Sequence, residues 1–166
     1  MKIFIQNEED AKELRDAAFQ DVELLGKNTI FDINLIKTPG QHGRGDVLDV
    51  IGHVCGVVFK HPEEKTLYIA GDTVWYDGVQ NALDSYQPEV IVVNGGGNVL
   101  MDEMLVMGEN DIYEVHKASP DAKIVVVHME AMNHWTLSRD ELNSFIKEKG
   151  LSKVVLVPDD GQSYTL

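Results

Sequence analysis

The chain has 166 residues, 43% of them hydrophobic, which is enough for one globular domain with its own core. Twenty-eight acidic and 14 basic residues give a formal charge of −14, which argues against nucleic acid as a partner because phosphates require clustered lysine and arginine. The charge also disfavours anionic membrane surfaces, and no apolar run approaches the roughly 18 residues of a membrane-spanning helix. With Cys55 as the only cysteine and no recognisable signal peptide, we expect a cytoplasmic protein without a disulfide.

The first part of the sequence predicts short strands around one helix. A strand over 2–6 leads to Asn7, a typical N-cap residue, and then to a helix over 8–19 whose first turn carries three acids. Residues 22–25 predict a second strand. Strict apolar and polar alternation over 29–37 predicts a third strand with one solvated face. We expect these last two strands to pair as a hairpin.

Three glycines then flank His42 and Arg44, a composition typical of an exposed, sharply turned loop. His42 is either a solvated histidine or a metal ligand, and Arg44 is either a solvated arginine or a clamp for an anionic substrate group. A strand predicted over 52–59 places His53 and Cys55 on one face. Core filling is the simpler interpretation of that pair, because a buried cysteine usually behaves as a small hydrophobic residue.

The stretch Leu67-Tyr68-Ile69-Ala70-Gly71-Asp72-Thr73 is an apolar run that stops abruptly at a carboxylate. Such a run predicts a short buried strand that ends at Gly71. Asp72 would then lie at the mouth of a sheet, where α/β proteins collect ligands. The alternative is that Asp72 only caps the following turn or helix, since aspartate accepts backbone N–H bonds well at such places.

The second half of the chain alternates helices and strands, without an internal repeat or a linker, so we predict one domain over 1–166. Three glycines at 95–97 follow a buried strand and indicate close approach of the backbone to a ligand or a neighbouring segment. The methionine-rich run 99–107 predicts core packing, a subunit contact or an apolar pocket. The predicted helices are 75–86, 112–118 with Asn110 as its cap, and 139–149; the strands are 89–94, 123–127 and 153–157.

A second histidine candidate follows the apolar run 123–127 directly, at His128. His42, Asp72 and His128 each stand in a turn or at the end of an apolar run, so they can converge on one sheet edge. Two imidazoles and a carboxylate are a donor set that suits Zn²⁺.

The order T-P-G-x-H-G, then a strand ending in G-D-T, then D-A-K-I-V-V-V-H-M-E-A-M-N-H resembles the C-terminal two thirds of metallo-β-lactamase-fold hydrolases. Within that superfamily the chain is most similar to the branch that includes the ascorbate-phosphate lactonases. The resemblance extends from about Ile3 to the C-terminus. It implies an α/β fold, most of an αββα sandwich, and metal-dependent hydrolysis of a small-molecule substrate of the lactone or phosphoester type.

The resemblance also implies roles for individual residues. His42 would join a first metal site, His128 a second, and Asp72 would bridge the two ions and orient the nucleophile, with Zn²⁺ or Mn²⁺ as the cofactor. His134 is a candidate substrate contact or proton donor in the same pocket. The family's signature His-x-His-x-Asp-His does not occur in this chain, and residues 1–7 resemble the strand that follows it.

We therefore expect an N-terminally incomplete domain that lacks the first strands of the sandwich. At most three ligands remain, which predicts weak metal binding and poor hydrolysis. An unpaired sheet edge predicts a homo-oligomer. The alternative is a non-catalytic remnant of the fold that acts as an oligomerisation or interaction module. A calcineurin-like phosphoesterase is disfavoured, because Val99 stands where that family needs a histidine after Gly97-Asn98.

Overall fold

The computed structural model describes residues 1–131 and 133–166 as a mixed α/β arrangement. The strands are β1 (Ile3–Ile5), β2 (Val22–Leu24), β3 (Lys27–Ile30), β4 (Ile33–Pro39), β5 (Cys55–His61), β6 (Glu64–Ile69), β7 (Val90–Asn94), β8 (Val99–Leu100), β9 (Glu103–Met104), β10 (Lys123–Val127) and β11 (Val155–Leu156). The α-helices are α1 (Glu8–Asp16), α2 (Leu48–Ile51), α3 (Asp77–Tyr86), α4 (Glu109–Ala118) and α5 (Arg139–Glu148), and a short 3₁₀ turn (Gly45–Val47) precedes α2.

A seven-stranded mixed sheet forms the centre of the fold, in the order β11-β10-β7-β6-β5-β4-β3. The strands from β11 to β6 run parallel to their neighbours, and those from β6 to β3 pair antiparallel. Two small sheets stand apart from it, the parallel pair β1-β2 and the antiparallel pair β8-β9. The predicted α/β class is confirmed.

The parallel half of the sheet holds the hydrophobic core, because its strands are nearly continuous apolar runs. Ile91 on β7 and Ile124 on β10 are fully buried. Three helices add Leu83, Ile112 and Leu142 to the same cluster. Parallel strands need such cover, since their connections place helices on the faces of the sheet.

The carboxyl ends of the parallel strands β6, β7 and β10 meet at one edge of the sheet. Val127 at the end of β10 pairs with Asn94 at the end of β7. Asp72 follows β6 and His128 follows β10, so both come to this edge. Open α/β sheets bind ligands at this position.

The single strand predicted over 29–37 is wrong, because a hairpin turn divides it. Phe31 and Asp32 have φ angles of 49° and 63° between β3 and β4, and Ile30 pairs with Ile33 across the turn. Two successive left-handed residues are typical of a two-residue hairpin connection. The alternation of apolar and polar residues continues through the turn and conceals it.

The predicted pairing of strand 22–25 with strand 29–37 is also wrong. β2 pairs in parallel with β1, and β3 pairs with β4. The segment that contains α1 connects β1 to β2 and supplies the length that a parallel connection requires.

Two helix boundaries differ from their predictions by three residues. α1 ends at Asp16 because Ala18 adopts a left-handed φ of 70°. α4 begins at Glu109 with Gly108 in extended conformation as its N-cap, so Asn110 lies inside the first turn. Two other helix-start signals are confirmed. Asn7 Oδ1 accepts the Asp10 N–H at 2.8 Å, and residues 138 and 141 form the predicted capping box.

In residues 1–131 and 133–166, no helix combines the length and the apolar character that crossing a membrane requires. A single domain over 1–166 stays a prediction.

Candidate metal centre

Asp72 is presented by a glycine turn at the end of β6. Gly71 has a φ of 73°, and a Cβ built on it would lie 2.7 Å from the Cys55 carbonyl oxygen. Only glycine meets both demands without strain. The turn therefore fixes where the half-buried Asp72 leaves the sheet.

Asn94 holds the Asp72 carboxylate from the neighbouring strand. Its Nδ2 donates a hydrogen bond of 2.6 Å to Asp72 Oδ1. Asn94 is the last residue of β7 and is itself half-buried. The predicted site residues did not include Asn94, although a polar residue that ends the apolar run Val-Ile-Val-Val before three glycines was a usable signal.

The His42 loop is attached to the residues that follow Asp72. The Gln41 N–H donates to Thr73 Oγ1 at 2.9 Å, and the Val74 N–H donates to the Gln41 carbonyl at 2.9 Å. Thr73 and Val74 are buried. His42 and Asp72 thus lie on two loops whose backbones are joined next to both side chains.

A second attachment runs through Trp75. Arg44 Nη2 donates to the Trp75 carbonyl at 2.7 Å, and the Trp75 N–H donates to Asp111 Oδ2 at 3.2 Å. Burial raises the pKa of the Asp111 carboxyl, while the Trp75 N–H and the Arg44 charge act in the opposite direction. Arg44 therefore joins the His42 loop to the segment after Asp72, and Asp111 joins that segment to α4.

His128 follows β10 in a left-handed conformation with a φ of 61° and is exposed. The Gly95 N–H donates to the Val127 carbonyl at 2.8 Å, which ties the chain just before His128 to the end of β7. A left-handed histidine is uncommon, and such conformations persist where the surrounding structure holds them.

The pKa of His42 responds to the other two candidate ligands. Burial lowers the pKa of the His42 imidazole, the Asp72 carboxylate raises it, and the His128 imidazole lowers it. Such effects weaken with distance, so His42 lies near both other side chains. The convergence of His42, Asp72 and His128 on one metal site stays a prediction.

The three candidate ligands do not form a complete metal-binding group in this structure. Among the described residues, no three His, Cys, Asp or Glu side chains are arranged as a metal-binding group. The donor types of His42, Asp72 and His128 fit a divalent ion, and Asn94 orients the carboxylate. The ligand roles of the three residues stay predictions.

His134 lies in an exposed loop. Its Nδ1 is 3.4 Å from Asn133 Oδ1, and its carbonyl accepts the Val99 N–H at 3.2 Å. No hydrogen bond among the described residues joins its side chain to the three candidate ligands, so its role as a proton donor or substrate contact stays a prediction.

The shared strand face predicted for His53 and Cys55 is wrong, because β5 begins at Cys55 and His53 precedes it. His53 is exposed, and its carbonyl accepts a hydrogen bond of 2.7 Å from Gln6 Nε2. Burial raises the pKa of the Cys55 thiol, which favours the neutral form over a thiolate ligand.

A sequence relative gives the first comparison with known proteins. The chain is 60% identical over 168 residues to UPF0173 protein YddR of Bacillus subtilis (strain 168), covering 99% of this chain and 66% of that protein. The chain thus spans about two thirds of the length of this relative. No protein-family model matches the chain.

Two solved structures match the whole chain closely. Isothiocyanate hydrolase from Delia radicum gut bacteria has a TM-score of 0.93 and 38% identity, covering 100% of this chain and 67% of that protein. A protein described as a possible metal-dependent hydrolase from Veillonella parvula DSM 2008 has a TM-score of 0.95 and 35% identity, again covering 100% and 67%.

A more distant structure identifies the fold. The metallo-β-lactamase fold protein YhfI from Bacillus subtilis has a TM-score of 0.67 at 10% identity, covering 99% of this chain and 65% of that protein. That likeness shows the fold alone, and placement in the lactonase branch stays a prediction. At 38% and 35% identity over the whole chain, this chain belongs to the same family as the isothiocyanate hydrolase and the possible metal-dependent hydrolase, and it has the metallo-β-lactamase fold.

Proposed function

We propose that this chain contributes His42, Asp72 and His128 to a divalent metal centre that hydrolyses a small-molecule substrate. The observation that carries the proposal is that Asp72 and His128 follow the parallel strands β6 and β10 at one edge of the sheet. It is supported by the likeness to an isothiocyanate hydrolase at 38% identity and to a possible metal-dependent hydrolase at 35% identity. A bound Zn²⁺ or Mn²⁺ would supply an activated water and polarise the scissile bond.

The chain's own residues would hold and orient the ligands. Asn94 fixes one oxygen of Asp72, so that the carboxylate is already oriented before the metal arrives. The bonds between Gln41, Thr73 and Val74 fix the separation between the His42 and Asp72 loops. His134 is the proposed proton donor or substrate contact, since it lies six residues beyond His128 in the same loop.

The substrate classes follow from the resemblance and from one relative. A lactone or a phosphoester is the class implied by the lactonase-like branch. An isothiocyanate is a further candidate, because the 38% identical protein of known structure is an isothiocyanate hydrolase. All three contain an electrophilic carbon or phosphorus centre that an activated water can attack.

We further propose that the 166-residue chain binds its metal weakly and turns over slowly. A catalytic zinc normally has about three protein donors in a fixed geometry, and the three donors here are not arranged as a metal-binding group. We also propose that the protein is cytoplasmic, because its sequence has one cysteine and no recognisable signal peptide.

Self-association is proposed from the free edge of the sheet. β3 is the terminal strand of the seven-stranded sheet, and Phe31 at its tip is 88% exposed. An edge strand beside an exposed aromatic residue is a template for pairing with a second copy. Sedimentation should show a homo-oligomer at tens of micromolar, and a well-behaved monomer would contradict it.

The test of the metal centre combines elemental analysis with turnover. After loading with Zn²⁺ or Mn²⁺ and dialysis, we expect less than one metal per chain, and slow turnover of at least one lactone, phosphodiester or isothiocyanate that depends on added metal. Asp72→Ala should abolish this turnover, whereas Asp84→Ala, an exposed carboxylate on α3, should not. Metal held tightly at one per chain would contradict the weak binding, and turnover retained in Asp72→Ala would contradict the site.

A further inference from the structure

The chain that leaves β10 contains two left-handed residues, His128 and Glu130, with φ angles of 61° and 60°. We call residues 128–130 the His128 segment. Left-handed conformations are uncommon in residues other than glycine, and they persist where surrounding contacts hold them. Met129, between the two, is buried in the hydrophobic core. The core therefore anchors the middle of the segment, and the contacts of Glu130 show what holds its end.

The Glu130 carboxylate is bound at both oxygens by one residue, Arg139. Glu130 Oε1 accepts the Arg139 backbone N–H at 3.0 Å, and Glu130 Oε2 accepts a hydrogen bond of 2.6 Å from Arg139 Nη1. Charge-assisted bonds of this kind are stronger than neutral ones, and two of them fix the direction of a carboxylate. We call this pair of bonds the Glu130–Arg139 clamp. It ties the end of the His128 segment to the start of α5.

Arg139 is itself held firmly. It is the first residue of α5, which packs on the core through the buried Leu142 and Ile146. Its Nε donates to the Pro158 carbonyl at 3.2 Å, and its Nη2 donates to Asp160 Oδ1 at 2.7 Å. All three guanidinium nitrogens thus have partners. The clamp is therefore mounted on a helix that the core fixes in place.

The Glu130–Arg139 pair differs from an ordinary surface ion pair of this chain. The side chains of Lys12 and Asp16 are 76% and 66% exposed, and they pair along a single helix. Those of Arg139 and Glu130 are 20% and 33% exposed, and they join segments nine residues apart. Exposed pairs contribute little to stability because water competes for both charges. Of these two pairs, the Glu130–Arg139 pair is the one placed to hold a backbone conformation.

The alternative is that Glu130 only caps α5. The Arg139 N–H is one of the groups left unpaired at a helix start, and a carboxylate is favourable there. That role needs Oε1 alone, and α5 already has a capping box from Ser138 and Glu141. The second bond, from the guanidinium to Oε2, adds nothing to a cap. It does restrain the Glu130 side chain, and with it the His128 segment.

We propose that Arg139 is a positioning residue for His128. Through Glu130 it holds the left-handed backbone on which the direction of the His128 side chain depends, so that the imidazole is oriented before a metal ion arrives. This rests on the proposed role of His128 as a metal ligand. Release of the clamp would let the φ angles of His128 and Glu130 return to negative values, which turns the Cα–Cβ bond of His128 to a different direction.

The first test needs no metal. A strong intraresidue amide-to-Hα NOE marks a positive φ, and we expect it at residues 128 and 130 of the metal-free chain. Arg139→Gln should lose it. Asp160→Asn, which removes the other charged partner of the same guanidinium, should keep it. So should Ser138→Ala, which weakens the same helix start but leaves the clamp in place. A retained NOE in Arg139→Gln, or its loss in Ser138→Ala, would overturn the proposal.

Glu130→Gln is the second variant, and it keeps the test decisive if Arg139→Gln does not fold. It preserves the size of the side chain, removes its charge and leaves one oxygen for two donors. It should therefore weaken the clamp and reduce the same NOE. An unchanged NOE at residues 128 and 130 in this variant would also overturn the proposal.

The second test is a Zn²⁺ titration against a chelating indicator. Arg139→Gln should weaken Zn²⁺ binding about tenfold, since the loss of a group that orients a ligand typically costs this much or more. Asp160→Asn and Arg15→Gln, the latter in an exposed ion pair on α1, should bind Zn²⁺ as the unaltered chain does. Equal affinities of the unaltered chain and Arg139→Gln would overturn the proposal. If the unaltered chain binds no Zn²⁺, the proposed metal centre fails, and the NOE test still decides whether Arg139 holds the His128 segment.

Discussion

The two halves of the central sheet differ in how they are stabilised and in what they carry. The parallel half, β6, β7, β10 and β11, is covered by helices and delivers Asp72, Asn94 and His128 to one edge. The antiparallel half ends in a hairpin whose tip exposes Phe31. A binding site needs fixed backbone, and the buried half supplies it for Asp72 and His128, whereas His42 comes from the loop after β4 in the antiparallel half.

The largest expected effect is on stability, and it contrasts a buried residue of the parallel half with an exposed residue of the hairpin. Ile124→Ala on β10 removes a fully buried side chain, and we expect it to lower the free energy of unfolding by about 3 kcal/mol. Phe31→Ala at the exposed hairpin tip should change it by less than about 0.5 kcal/mol. Urea unfolding of both variants measures the contrast, and equal losses would mean that the hairpin is packed in solution.

The parallel half was also the easier one to predict. β10 has its predicted bounds, 123–127, because an apolar β-branched run after Pro120 has few alternatives. The pattern does not reveal the hairpin turn at Phe31 and Asp32, because Phe31 is not a preferred turn residue and the alternation of apolar and polar residues matches a strand. The sequence pattern was therefore enough to place a buried strand such as β10. It did not locate the hairpin turn, because that turn depends on the φ angles of two residues.

The site was only partly predictable for a related reason. Asp72 and His128 stand beside recognisable strand ends, so their common edge follows from the topology of the parallel strands β6 and β10. His42 follows β4 of the antiparallel half, and its place beside them depends on the bonds of its loop to Thr73 and Val74. Asn94 was missed because its role depends on a cross-strand contact with Asp72. The attachments through Thr73 and Asp111 likewise join residues more than 30 positions apart, which spacing in the sequence does not reveal.

The second effect tests the turn that presents Asp72. Gly71→Ala should destabilise the chain by about 2 kcal/mol, because alanine is strained at a φ of 73° and its Cβ would meet the Cys55 carbonyl. Gly26→Ala is the matched control, since a Cβ there has no atom within 4 Å. Thermal unfolding of the two variants compares them, and an unaffected Gly71→Ala would show that this edge is not held rigidly.

The third effect concerns metal affinity more than stability. Asn94→Ala removes the hydrogen bond to Asp72 Oδ1, and loss of such an orienting partner typically weakens metal binding about 10- to 100-fold. Titration with Zn²⁺ against a chelating indicator measures the change. Asn81→Ala, an exposed residue on α3, serves as the control. Equal Zn²⁺ affinities in the Asn94 and Asn81 variants would show that the hydrogen bond to Asp72 does not contribute to metal binding.

The smallest effect asks whether α5 unfolds together with the parallel half that it covers. Ser138→Ala deletes the capping box with Glu141, and we expect it to cost about 1 kcal/mol in urea unfolding. Ser144→Ala is the same substitution in the middle of this helix, where the Ser144 hydroxyl donates to the Asp140 carbonyl at 2.9 Å. Alanine is the better helix former there, so this variant should be neutral or slightly more stable. Opposite signs in one cooperative transition would show that α5 and the buried half of the sheet form a single unit. If Ser138→Ala leaves global unfolding unchanged but increases hydrogen exchange within α5, the helix opens separately from the buried half of the sheet.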